Sequence, residues 1–192
     1  MYLKNILENF RDHVKDDCLL IDKQNNVTVI NMTEPRLFAS SIVLNQSTLW
    51  IVGGEKGPRN PIRSNITYHD TTELISIDSN QEINQKPGPT LPFAISNQCM
   101  VQYNSSAIYL IGGQKSLDEM SQKVWIIDPT NNFTFKEGPA LLNSSRFMAS
   151  CAKMKVNDTE IIVVAGGQDF NYEFNAYDSV ELLFPTGWVK GK

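Results

Sequence analysis

The chain has 192 residues, 41% hydrophobic and 20% charged, with a formal net charge of −4. That length suits one sizeable domain, and that balance excludes a disordered chain. The acidic balance argues against a nucleic-acid partner, which needs a basic patch to displace phosphate counterions, and no apolar run approaches the roughly 20 residues of a membrane-spanning helix.

The chain opens MYLKNILENF, where Lys4, Asn5, Glu8 and Asn9 break any apolar stretch, so no export signal is read there. Residues 1–17 are expected to be a tail or short helix. From Cys18 onward short apolar runs alternate with turn residues, which favours strands over helices. Three of these runs end in a glycine pair: LWIVGG at Leu49–Gly54, IYLIGG at Ile108–Gly113 and IIVVAGG at Ile161–Gly167. The pairs are spaced 59 and then 54 residues apart. Other markers keep step. Asp78 and Asp128 lie 50 apart, as do Gly88-Pro89 and Gly138-Pro139. Arg36 precedes LFASSIVL and Arg146 precedes FMASCAKM, with Ser96 read as the corresponding position between them.

Each unit reads as four strands. The first starts near Arg36, Ser96 or Arg146 and turns at Asn45-Gln46-Ser47, Asn104-Ser105-Ser106 or Asn157-Asp158-Thr159. Asn suits such turns because it tolerates positive φ and bonds to local backbone. The second strand ends at the glycine pair. The third is TELISID, KVWIID or SVELLF, and a further turn leads to the fourth, for example Phe133–Lys136. The boundaries are 18–34 for a half unit, then 35–92, 93–142 and 143–192, the last incomplete at its fourth strand. Gly53, Gly54, Gly112, Gly113, Gly166 and Gly167 are read as structural, because glycine permits positive φ and close backbone approach.

This pattern resembles the kelch repeat: Arg, an apolar strand, a double glycine, a strand ending near Asp-Pro, an aromatic, then Gly-Pro. The resemblance covers roughly Cys18 to Lys192. It implies an all-β fold, a partial kelch-type β-propeller of four-stranded antiparallel blades. Ser96 departs from the repeat's Arg. The expected fourth-strand Trp occurs only as Trp188, with Phe133 or Phe135 in its place in the second repeat and Ile83 in the first. Propellers close with about four to eight blades, and some three and a half are counted. A fragment is therefore expected, with closure by two chains as the alternative.

The longest insertion, Glu55–Thr72, carries Lys56, Arg59, Arg63 and His69, and Arg36 and Arg146 start strands at the same end. These six are the candidate binding residues; a cationic end suits an acidic peptide or glycan through charge-assisted bonds. The competing account has the arginines bonding the repeats together. No nucleophile motif, metal-spaced cluster or phosphate loop occurs, and the two histidines and three scattered cysteines indicate no cofactor, metal or enzyme activity. Cys18, Cys99 and Cys151 are read as small buried hydrophobes. Cys99 and Cys151 fall on corresponding strands of successive repeats, so they can come close; opposed Cβ directions would forbid a bond, and the sequence leaves open whether any of the three cysteines pair.

Asn-x-Ser/Thr occurs at Asn26, Asn31, Asn45, Asn65, Asn104, Asn132, Asn143 and Asn157, eight of the 18 asparagines. That density favours a glycosylated, secreted protein, although turn chemistry selects the same residues. The expected function is an extracellular scaffold binding protein or glycan. The alternatives are an intracellular substrate adaptor of a ubiquitin ligase and, more remotely, a galactose-oxidase-like or sugar-isomerase-like enzyme.

Overall fold

A computed structural model describes residues 2–3, 17–21, 27–57, 66–141, 145–169 and 175–191. The fold is all-β, and no helix occurs among the described residues. An N-terminal antiparallel sheet has the order β1 (Tyr2–Leu3), β2 (Asp17–Ile21), β3 (Val27–Asn31). Tyr2 and Leu3 thus pair with β2, where a tail or helix was expected.

Three four-stranded antiparallel sheets follow. Sheet I contains β4 (Ser40–Asn45) and β5 (Thr48–Val52). A small hairpin, β6 (Glu55–Lys56) with β7 (Thr67–Tyr68), then leads to β8 (Thr72–Ile77) and β9 (Ile83–Pro87). Sheet II contains β10 (Cys99–Asn104), β11 (Ala107–Ile111), β12 (Val124–Asp128) and β13 (Thr134–Glu137). Sheet III contains β14 (Ser150–Val156) and β15 (Thr159–Ala165), then a hairpin of β16 (Gln168–Asp169) with β17 (Asn175–Ala176). It finishes with β18 (Val180–Phe184) and β19 (Gly187–Lys190). Each sheet runs in chain order, first to fourth strand. The 143–192 unit, expected to lack a complete fourth strand, has one: β19 pairs with β18 along its length.

The sheets stack face to face. Ile30 of β3 packs with Leu49, Ile51 and Ile75 of sheet I. Trp50 and Val52 of sheet I pack with Ile108, Leu110 and Ile127 of sheet II. Val101, Ile111 and Val124 of sheet II pack with Ile162, Val164 and Leu183 of sheet III. The second strands of sheets I and II are mostly apolar because both of their faces are covered, and a fully buried aliphatic side chain contributes about 1.5–3 kcal/mol. Trp50, with no exposed surface, also meets Phe133 at 4.8 Å between ring centroids. Between sheets, strands approach most closely at the first strands, β4 to β10 and β10 to β14.

Hydrogen bonding fixes the repeat register and corrects one assignment. Leu37 bridges Glu55, Ser96 bridges Gln114, and Phe147 bridges Gln168. Ser96 therefore aligns with Leu37 and Phe147, and the residue aligned with Arg36 and Arg146 is Ile95. An apolar residue replaces the arginine, so comparing polar side chains alone shifts the alignment by one. The fourth strand needs a similar correction. Ile75 opposes Gln85, Ile127 opposes Phe135 and Leu183 opposes Trp188. The residue aligned with Trp188 is thus Gln85 in sheet I, not Ile83, and Phe135 in sheet II.

Two glycines show why the pairs recur. Gly53 and Gly112 have φ of 63° and 65°. A Cβ on either would run into the backbone oxygen of Ile95 or Arg146 in the next sheet. Gly54 donates its N–H to that Ile95 oxygen at 2.8 Å, and Gly113 to the Arg146 oxygen at 2.7 Å.

Candidate functional site

The end carrying the second-to-third-strand connections holds the candidate cations. Arg36 is buried: Nη1 donates to Gly53 O at 2.7 Å and Thr71 O at 2.9 Å, while Nη2 donates to Thr71 Oγ1 at 2.7 Å. Arg146 repeats this clamp. Nη1 donates to Gly166 O at 2.7 Å and Ser179 O at 3.2 Å, and Nη2 to Ser179 Oγ at 2.7 Å. Its guanidinium also lies 4.6 Å from the Tyr177 ring centroid. Each arginine thus ties the glycine pair to the start of the third strand within its own repeat.

Two aligned buried glutamates lie beside these clamps, and sequence reasoning missed them. Arg146 Nε donates to Glu181 Oε1 at 2.9 Å, with Glu181 fully buried. The aligned Glu73, also fully buried, accepts instead from Thr33 N at 3.2 Å, Thr33 Oγ1 at 3.0 Å and Gln85 Nε2. The signal is the pair of segments Thr71-Thr72-Glu73 and Ser179-Val180-Glu181. In the middle repeat the corresponding residues are Lys123-Val124-Trp125, so the glutamate is lost where the arginine is lost. An apolar pair, Ile95 and Trp125, stands in for the two charges. Phe93 stacks on Trp125 at 4.9 Å.

His69 is buried beside this machinery, its Nδ1 3.4 Å from Glu34 Oε2. Glu34 also accepts from Thr71 Oγ1 at 2.6 Å and Arg36 Nη2 at 3.0 Å. The Thr71 hydroxyl holds the Glu34 carboxyl below its ordinary range; the His69 and Arg36 charges add to this against partial desolvation. Burial, then the Arg36 charge, lowers the His69 pKa, with Glu34 opposing. The imidazole is therefore neutral at pH 7, a packed and oriented group. His69 Nε2 is buried with no hydrogen-bond partner among the described residues.

Of the six candidate cations, Arg36, His69 and Arg146 lie inside the fold and Lys56 is exposed on β6. Arg59 and Arg63 fall outside the described residues. The same end carries a row that sequence patterns did not reveal. Phe38, Asn97 and Met148 occupy aligned positions with φ of 54°, 56° and 57°. Asn97 N–H donates to Phe38 O and Met148 N–H to Asn97 O, both at 2.9 Å, so one backbone chain links the three sheets. Phe38 and Met148 are 51% and 48% exposed, with buried Asn97 between them. Left-handed backbone at non-glycine residues is costly and collects at sites the surrounding fold over-determines.

The opposite end carries the asparagine turns. Asn45 Oδ1 accepts from Ser47 N at 2.9 Å and Ser47 Oγ at 3.1 Å. Asn104 makes the same pair of bonds with Ser106, at the same two distances. Asn157 and Asn132 have φ of 46° and 49° in their turns. All four are exposed, as is Asn31 at the end of β3. Asn26, Asn65 and Asn143 lie outside the described residues.

Cys99 and Cys151 form a disulfide between β10 and β14, with Cα atoms 5.9 Å apart. The hydrogen-bond register explains how. Cys99 opposes Ile111, so its counterpart in sheet III is Ser150, opposite Ala165. Cys151 is therefore one residue out of step. That offset turns one cysteine to the forward face of its sheet and the other to the backward face, so they meet across the interface. The offset thus decides what the sequence left open.

No group of three or more His, Cys, Asp or Glu suited to a metal ion occurs among the described residues, nor any helix long and apolar enough to cross a membrane. No protein-family model matches the chain, and no curated protein matches it.

Proposed function

We propose that the chain is a kelch-type propeller segment serving as a non-catalytic extracellular scaffold for a protein or glycan ligand. The blade reading draws support from three aligned four-stranded sheets that come closest at their first strands. The glycine pairs at positive φ and the twofold-repeated arginine clamp add to it.

The observation that carries the extracellular assignment is the Cys99–Cys151 disulfide between adjacent sheets. Stable disulfides belong to oxidising compartments. The exposed sequons at Asn45, Asn104, Asn132 and Asn157 agree with it. Glycans on those turns would cover one end and leave the other free. The free end presents Lys56, Phe38 and Met148, with Arg59 and Arg63 in the same connection. An acidic ligand bearing an apolar group suits that mixture.

The test uses the endogenous protein, isolated under thiol-blocking conditions, with its mass measured before and after removal of N-glycans. A mass drop together with an intact Cys99–Cys151 peptide is the expected result. An unglycosylated protein with both thiols free would overturn the reading and favour the intracellular adaptor.

A further inference from the structure

The junction of sheets I and II and the junction of sheets II and III are built differently where their first strands begin. Ser40, Cys99 and Ser150 are aligned by their pairing with Val52, Ile111 and Ala165. Ala39, Gln98 and Ala149 precede them. Between sheets I and II two side-chain hydrogen bonds act at this level. Ser40 Oγ donates to Gln98 O, and Gln98 Nε2 donates back to Val52 O at 2.8 Å. Between sheets II and III both donors are replaced. Cys99 stands where Ser40 stood, and Ala149 where Gln98 stood. The Cys99–Cys151 bond takes over from them.

That bond adjoins the left-handed row. Asn97 is two residues before Cys99, and Met148 is three before Cys151. Met148 N–H donates to Asn97 O across this junction, and Asn97 N–H to Phe38 O across the other, both at 2.9 Å. The φ of Met148 is 57° and that of Asn97 is 56°. Such backbone persists only where its surroundings impose it. Beside Asn97 the Ser40 and Gln98 hydrogen bonds do so. Beside Met148 the disulfide holds the corresponding place.

We infer that the Cys99–Cys151 bond is a redox-operated lock on Met148. Closed, it fixes the row at the candidate ligand end. Open, it frees Met148 while the sheets stay joined. Packing of Val101 and Ile111 with Ile162 and Val164 still holds sheets II and III together. So do the bonds from Gly113 N–H to Arg146 O and from Lys153 Nζ to Tyr103 O, both at 2.7 Å. The Cys99 thiol set free is a weaker donor toward Ala149 O than the Ser40 hydroxyl is toward Gln98 O.

The co-reactant is a dithiol reductant. Cys151 is half-buried and Cys99 buried, so its thiolate attacks the Cys151 sulfur. The bond to Cys99 breaks, and Cys99 leaves as a thiolate that takes up a proton. The second thiol of the reductant then gives up its proton and attacks the first, releasing Cys151 as a thiol. The pair gains two electrons and two protons, and the reductant becomes a disulfide.

The test is amide hydrogen exchange followed by NMR on the full chain, with the bond intact and after reduction by dithiothreitol. Loss of the cross-link eases global unfolding, which accelerates Met148 and Asn97 alike, so the ratio of their exchange rates is the readout. Local opening at Met148 is expected to raise that ratio about tenfold on reduction. Reoxidation is expected to restore it. Cys99→Ala with Cys151→Ala is expected to show the raised ratio without reductant. An unchanged ratio, in the reduced protein or in the double variant, would overturn the inference, because the bond then does not restrain Met148. So would a reduced protein that unfolds without denaturant, because the bond then holds the whole junction. The inference rests on the same bond as the extracellular reading, yet the two fail separately. Free thiols in the endogenous protein sink that reading, whereas an unchanged ratio in protein whose bond was intact sinks only the lock.

Discussion

Arg146 and Glu181 form an ion pair of 2.9 Å whose side chains are 1% and 0% exposed. The middle repeat fills the same two positions with Ile95 and Trp125, so this fold accepts either a charged or an apolar pair there. A buried pair is strongly destabilised by loss of one member and is often neutral when both are exchanged for apolar groups.

Arg146→Met is therefore expected to cost about 3–5 kcal/mol, because it removes the cation beside a fully buried carboxylate. Arg146→Met with Glu181→Leu is expected to recover most of that loss. Urea unfolding of the two single variants and the double variant gives the coupling energy. Additive losses would show that the pair acts as two independent side chains.

Gly112 and Gly166 share a φ of 65° but differ in what surrounds them. An alanine at either pays the left-handed backbone cost of about 1–2 kcal/mol. At Gly112 the new methyl also collides with the Arg146 backbone oxygen, whereas at Gly166 the nearest atom among the described residues is 3.7 Å away. Gly112→Ala is expected to lower the melting temperature clearly more than Gly166→Ala. Equal losses would indicate that backbone conformation, not close approach between sheets, sets the need for glycine.

The Cys99–Cys151 bond closes a loop across a sequence separation of 52 residues. Chain entropy alone then predicts a contribution of about 4 kcal/mol. Cys99→Ala with Cys151→Ala, or reduction of the native protein, is expected to lower the urea midpoint by a corresponding amount. An unchanged midpoint on reduction would mean that packing alone holds sheets II and III together.

Much of this fold was legible because its signals are local and repeat. The glycine pairs, the asparagine turns and the alternation of apolar runs placed the strands of sheets I to III close to where they lie. What escaped depends on register. Ile95 hides the middle arginine position because an apolar residue there looks like part of a strand. Cys99 and Cys151 look aligned in the sequence, and only the hydrogen-bond pairing reveals the one-residue offset that lets them meet. The candidate site was read from charge, yet Arg36 and Arg146 carry their charge inside the fold. Phe38 and Met148, exposed at the same end, have no sequence signature, since a left-handed conformation at Phe or Met is set by neighbouring sheets rather than by the residue.

Acid should destabilise the fold in two stages, and the signs can be worked out. His69 has a pKa below its ordinary 6.5 because it is buried and lies near the Arg36 charge. The unfolded chain then binds the proton more readily than the native protein, so stability falls as pH drops below about 6.5. Glu34 lies below its ordinary 4.5, chiefly through the Thr71 hydroxyl. Its contribution is present above that value and is lost as pH falls through the lower folded pKa. Both groups therefore act in the same direction, His69 over the higher range and Glu34 over the lower. Urea midpoints measured from pH 8 to pH 4 are expected to fall in that order. His69→Gln is expected to remove the upper stage and keep the lower, and Thr71→Val to weaken the lower. A midpoint that holds level from pH 7 to pH 5 in the native protein would show that the imidazole takes up its proton without cost, and so that His69 is not buried as a neutral group.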